Sequence, residues 1–205
     1  MDPCALRLVD LGRILPVFTA DQADPLLQEP ARGAIIRAMK YGLLACSRAI
    51  VSRPTPLLMP LFSTHPEAPI PSCLGQWSYA LGERHVNAPR DTEFYHLTIK
   101  GANLIGCPPP KLNKPFEISH DLMLPQVYLA SREIDPGSVI GWVSDKFYTA
   151  RRRRRIRNFA PDIVALHPSG YPVRAIEYGG KSYSANRLRK MISACRAAGL
   201  CLEVW

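Results

Sequence analysis

Two acidic residues stand at the ends of short apolar segments. Asp162 follows Pro161 at the head of PDIVAL, and Glu177 closes VRAIEY just before Gly179 and Gly180. A carboxylate in an apolar strand needs a partner, because burying an unpaired charge is expensive. Only the turn residues HPSGYP separate the two segments, so they are expected to be neighbouring strands with both carboxylates on one edge. Two carboxylates at close range attract a hard cation such as Mg2+. Such a cation beside a phosphodiester polarises it and ionises a water molecule.

Basic residues precede this pair. Arg151, Arg152, Arg153, Arg154, Arg155 and Arg157 form a run shortly before Asp162. Clustered guanidiniums must meet solvent or an anion, and the arginine fork matches phosphate oxygens. The chain has 205 residues and a formal net charge of +9. Residues 1–110 carry 10 Lys and Arg against 9 Asp and Glu, whereas residues 111–205 carry 16 against 8. The excess lies in the C-terminal half, which makes DNA the expected partner, with a solvated basic surface as the alternative. His120 either orients a phosphate or a metal-bound water, or caps its own helix. The six cysteines include no Cys-x-x-Cys pair and read as small buried hydrophobes. A zinc site from Cys73, His65 and His85 matches no usual spacing.

The elements that must hold these residues follow from composition and periodicity. Hydrophobic residues make up 47% and charged residues 21%, which excludes disorder as the main state. No apolar run approaches membrane-spanning length, so no membrane partner is expected. The start, MDPCALRLVDLGRIL, lacks the apolar core of a secretory signal, and a cytoplasmic location is expected. Prolines cluster over 54–71 and 107–115, where they resist regular structure. The second cluster coincides with the change in charge, giving a first domain at 1–107, a linker at 108–116 and a second domain at 117–205.

In the first domain, ALRLVDLGRIL, ADQADPLLQ (capped by Thr19) and ARGAIIRAMKYG (ended at Gly42) read as helices. CSRAIV, QWSYAL and TEFYHL read as strand pieces, and Thr98 caps a short helix at IKGANLIG. Three short helices with tight turns suit a helix-turn-helix core. The third would enter a major groove with Arg32, Arg37 and Lys40 as contacts. In the second domain, ISHDLMLPQVYLASRE reads as a helix capped by Ser119, with Pro125 in its first turn or at a kink. Three strands follow in VIGWVSDKFYT, PDIVAL and VRAIEYGG. A helix then runs from its cap Ser184 to Gly199, and LCLEVW closes as a strand able to pair in parallel. Tyr178 and Tyr183 are expected to pack, and Glu203 to be exposed.

Pro161-Asp162, a hairpin and Glu177, inside a helix-strand-strand-strand-helix-strand order, resemble the PD-(D/E)XK nuclease superfamily. The resemblance implies that Asp162 and Glu177 ligate Mg2+ and that a lysine stands two residues after the second acid. Gly179 occupies that place, so Lys181 or Lys190 would have to substitute. A narrower resemblance is to the replication-relaxation family of plasmid and mobile-element proteins. It rests on FYHLTIKGANLIG, His120-Asp121-Leu122, Trp142, Pro161-Asp162, Ile176-Glu177 and Lys190 within RLRKM. It implies an α+β chain, with an N-terminal winged-helix-like domain followed by a PD-(D/E)XK nuclease-like domain. The stretch Pro54–Arg84 has no counterpart in it.

Three functions are therefore open at this point. The chain is a DNA-binding protein of a plasmid, phage or other mobile element with a Mg2+-dependent endonuclease site. Alternatively it is an inactive DNA-binding regulator or assembly factor on a degenerate nuclease fold, as Gly179 favours, working as a homodimer or in a larger nucleoprotein assembly. The third reading is a protein-interaction module with a basic face.

Overall fold

The computed structural model describes residues 2–52, 54–83, 88–108, 114–134, 141–144, 159–180 and 182–205. In chain order, its helices and strands begin with α1 (Pro3–Asp10), α2 (Ala20–Leu27), α3 (Arg32–Lys40) and β1 (Leu44–Ser52). There follow β2 (Phe62–Thr64), α4 (Leu74–Gly82), β3 (Pro89–Leu97), α5 (Ile99–Ile105), α6 (Pro115–Asp121) and α7 (Leu124–Ile134). The order ends with β4 (Gly141–Ser144), β5 (Ile163–Leu166), β6 (Pro172–Glu177), α8 (Ala185–Ala197) and β7 (Cys201–Val204). The class is α+β. Among the described residues, no helix is long and apolar enough to cross a membrane.

The chain divides into two units, and each is built from two stretches. The first is Met1–Pro56 with Val86–Leu129, and the second is Leu57–His85 with Ala130–Trp205. This differs from a single boundary at 108–116. The proline-rich stretch expected in the first domain supplies β2 to the second unit, where it pairs antiparallel with β7, Phe62 opposite Val204. Helix α6, expected to open the second domain, belongs to the first unit. There the Ser52 amide donates to Ser119 Oγ at 3.1 Å, and Ile118 and Leu122 share a core with Val17, Val51 and Phe94.

In the first unit, α1 starts with Pro3 in its first turn and the Asp2 carboxylate accepting from the Cys4 amide. Proline is favourable there because that N–H has no helical partner. Gly42, at φ 67°, ends the α3 segment and leads into β1. β1 and β3 form an antiparallel pair from Leu44↔Leu97 to Ser52↔Pro89, and Phe18 bridges to Tyr95 on its other side. Thr98 caps α5 as expected, accepting from the Gly101 amide at 3.0 Å. Its hydroxyl donates to Gly42 O at 2.6 Å. A side chain at 101 is barred, since its Cβ would sit 2.1 Å from Leu43 O.

Two local expectations fail for physical reasons. QWSYAL lies in a helix, α4, rather than a strand. Leu74 and Leu81, two helical turns apart, enter one core together with Trp77, and that periodicity outweighs the apparent alternation. The segment from Ile118 to Glu133 is two helices rather than one. Ser119 is inside α6, where its hydroxyl donates to Pro115 O at 3.0 Å. Pro125 lies in the first turn of α7, the position proline tolerates.

The second unit is a mixed five-stranded sheet in the order β2-β7-β6-β5-β4. β4, β5 and β6 form the expected antiparallel meander. β7 returns after α8 to lie parallel to β6. Ser184 caps α8 through the Arg187 amide at 3.2 Å, and Gly199, at φ 69°, follows its end. Ala175, Leu202 and Val204 pack one sheet face against Leu188, Met191, Ile192 and Cys195 of α8 and against Leu74 and Leu81 of α4. Phe62 stacks on Trp77 with ring centroids 3.9 Å apart. Burial of this much aliphatic and aromatic surface is what holds β2 and α4 to the sheet, at roughly 25 cal/mol per Å² of apolar area.

Candidate functional site: an acid pair at the β5–β6 edge

The register Ile163↔Ile176, continued by one residue, sets Asp162 opposite Glu177. Residues opposed across an antiparallel pair point to the same face, and here it is the face covered by α8. The two carboxylates bond each other's backbone. The Asp162 amide donates to Glu177 Oε2 at 3.1 Å, and the Tyr178 amide donates to Asp162 Oδ2 at 2.9 Å. Glu177 is only 3% exposed. A carboxylate buried this far persists because charged acceptors take strong hydrogen bonds from fixed donors.

Two more donors come from the segment that enters α8. The Tyr183 hydroxyl donates to Glu177 Oε1, and Arg187 Nη2 lies 3.6 Å from the same oxygen. The Arg187 guanidinium also sits 3.8 Å over the Tyr183 ring. The chain leaves β6 through Gly179 and Gly180, and the Tyr183 amide donates to Gly180 O at 3.0 Å. Burial first, and then the negative charges of Glu177 and Asp162, hold the Tyr183 phenol well above its ordinary range. Burial, with a contribution from Glu177, pushes the Cys195 thiol up to about 12. Both groups stay protonated and neutral near pH 7.

A side chain at the position two residues after Glu177 would be crowded. A Cβ on Gly179 would meet Leu81 Cδ2 at 2.7 Å and Val204 Cγ1 at 3.0 Å. Lys190 is exposed on α8, and among the described residues the cation beside Glu177 is Arg187. Lys181 and Arg151–Arg157 lie outside the described residues. His120 is in the first unit, on α6, with Nδ1 3.2 Å from Asp121 Oδ1. Arg32, Arg37 and Lys40 are exposed on α3, and Arg37 pairs with Asp2.

Mg2+ takes oxygen ligands, and two carboxylates on neighbouring strands are the right kind of donor. Around them each Glu177 oxygen already accepts from a protein donor, and Arg187 stands 3.6 Å from Oε1, so a cation would enter beside a positive charge. Among the described residues, no three His, Cys, Asp or Glu side chains are placed to hold a metal.

Sequence reasoning passes over Arg187 as a partner for the acids and reads Tyr183 as packing alone. The spacing of ten residues from Glu177 to Arg187 crosses a turn and a helix start, and no motif marks it. It also errs on Glu203, which is 9% exposed rather than on the surface. Glu203 Oε1 pairs with Arg174 Nη1 at 2.9 Å, and Oε2 accepts from Ser131 Oγ and Trp205 Nε1, both at 3.3 Å. This second network lies on the opposite face of the sheet, because Glu203 is paired with Ile176 and not with Glu177.

The first unit carries a separate cleft of about 540 Å³, lined in part by Asp21, Arg48, Asp91, Glu93 and Tyr95. The Tyr95 hydroxyl and then Arg48 hold the Glu93 carboxyl below its usual range, so this cleft is anionic and unsuited to a nucleic-acid backbone. No family model, no curated protein and no solved structure matches the chain.

Proposed function

We propose that this chain is a DNA-binding protein that holds DNA without cutting it, and that its second unit is a nuclease-like fold whose acid pair serves structure and DNA contact. The observation that carries this reading is that each Glu177 oxygen already accepts a hydrogen bond from the protein and a cationic side chain stands beside it. These groups are the Asp162 amide, the Tyr183 hydroxyl and Arg187. Gly179 stands where the lysine for charge stabilisation of the attacked phosphate would be, and a side chain there would press on Leu81 and Val204. The excess of basic residues over 111–205 supports a polyanionic partner. In the first unit, the order of helix, bridge, two helices and antiparallel pair is the order of a winged helix. On this reading α3 offers Arg32, Arg37 and Lys40 to the DNA.

Supercoiled plasmid incubated with the full chain and Mg2+ or Mn2+ tests the proposal, alongside a binding titration over a salt series. The expected result is salt-dependent binding with no nicking. Replacing Arg151–Arg155 together with alanine is expected to flatten the plot of log affinity against log salt by about 0.9 for each phosphate those arginines neutralise. Metal-dependent nicking that disappears in Asp162→Ala and Glu177→Ala overturns the non-cutting reading. Absence of binding even at low salt overturns the DNA partner.

A further inference from the structure

We infer that Arg187 is a phosphate-binding residue, the point at which the acid-pair face of the second unit grips one phosphate of the nucleic-acid backbone. The inference rests on the proposed function and adds a residue and a contact to it.

The geometry around Arg187 is that of a guanidinium held in place with its donors unspent. Its side chain is 47% exposed, although Glu177 beside it is 4% exposed. The contact to Glu177 Oε1, at 3.6 Å, lies beyond hydrogen-bond reach, so it is an attraction of charges without a committed N–H. The Tyr183 ring covers one face of the guanidinium at 3.8 Å. The N–H bonds of a guanidinium lie in its plane, so a ring under one face fixes the group without using them. An arginine oriented in this way gives up less freedom when a phosphate arrives than one on an unsupported stem.

Arg174, on the sheet itself, shows the contrast. It is 17% exposed and bonds Glu203 at 2.9 Å, which is a closed pair. Arg187 also does nothing for its own helix. It stands in the first turn of α8, where a positive side chain opposes the helix dipole. A ligand that repays this placement is an anion with several oxygen acceptors, and the net charge of the chain makes the nucleic-acid backbone that anion.

The test is fluorescence anisotropy of a labelled duplex with the full chain across a salt series. It compares wild type, Arg187→Ala, Arg187→Lys and Arg189→Ala. Arg189 is exposed on the same helix and controls for the loss of one positive charge. Arg187→Ala is expected to lower the slope of log affinity against log salt by about 0.9, the value of one neutralised phosphate. Arg189→Ala is expected to lower it by less than half as much. Arg187→Lys is expected to keep the slope while weakening binding at every salt concentration, since the charge remains without the fork. An unchanged slope in Arg187→Ala, or equal losses in the two alanine variants, overturns the inference and leaves the proposed function standing. Loss of wild-type binding throughout overturns both. Inorganic phosphate added at fixed ionic strength probes the same contact. No displacement of the duplex is the expected result. Displacement that is lost in Arg187→Ala also supports Arg187 as the duplex contact, and displacement equally strong in Arg187→Ala overturns it as the phosphate site.

Discussion

Glu177 and Glu203 lie on neighbouring strands of one sheet, face opposite sides of it, and are both buried with an arginine as ionic partner. Their surroundings differ. Glu203 bonds Arg174 at 2.9 Å and takes two further hydrogen bonds from Ser131 and Trp205, with both members of the pair mostly enclosed. Glu177 is fixed by backbone and phenol donors, and its arginine stands half in solvent at 3.6 Å. The first arrangement is complete without any other molecule. The second leaves a cation at the surface, positioned but not consumed. On the proposed reading, only the face whose cation remains accessible takes an anion.

Breaking the closed pair should have the largest effect. Glu203→Ala removes an ionic partner from Arg174 in a largely enclosed position, and losing one partner of such a pair destabilises by about 3–5 kcal/mol. Urea unfolding measures it. Replacing both residues by apolar side chains of similar size should restore much of the loss, since a well-packed apolar pair often equals a buried ion pair. If the double variant is as unstable as Glu203→Ala, the network does more than neutralise Arg174.

Gly179→Ala comes next. Its Cβ would press on Leu81 and Val204, and overpacking of a filled core costs about 1–3 kcal/mol. Gly179→Lys should be at least as destabilising and should not confer plasmid nicking. Nicking by that variant would show that the acid pair lacks only its lysine.

Tyr183→Phe removes one donor from Glu177, with an expected loss of about 1–3 kcal/mol near neutral pH. The phenol is neutral when protonated, and its folded-state pKa is raised. Its contribution is therefore present below the unfolded tyrosine pKa of about 10 and declines as pH rises above it. Stability of the wild type should fall in that alkaline range, and Tyr183→Phe should fall less steeply. Equal slopes would remove Tyr183 from the pH dependence.

Arg187→Ala should change stability least, by no more than about 0.5 kcal/mol, as is usual for an exposed ionic contact. The same substitution should still weaken the salt dependence of DNA binding. A large stability loss would place Arg187 with Arg174 as a structural partner and erase the contrast between the two faces.

The sequence by itself placed Asp162 beside Glu177. PDIVAL and VRAIEY are apolar segments joined by a short turn, and adjacent strands with a tight connection pair locally. The caps at Thr98 and Ser184 and the helix ends at Gly42 and Gly199 were readable for the same reason, since each depends on atoms within a few residues. Tertiary structure alone decided the rest. β2 reaches β7 across some 140 residues of chain, as Phe62 pairs with Val204, and α4 is helical because Leu74, Trp77 and Leu81 meet the same core. The burial of Glu203 depends on Arg174, Ser131 and Trp205, which no spacing connects to it. Arg187 stands over Tyr183 although four residues separate them across the start of α8. Local periodicity records which face of an element is apolar. Which face meets which is fixed only when distant segments compete to fill one core at close-packed density.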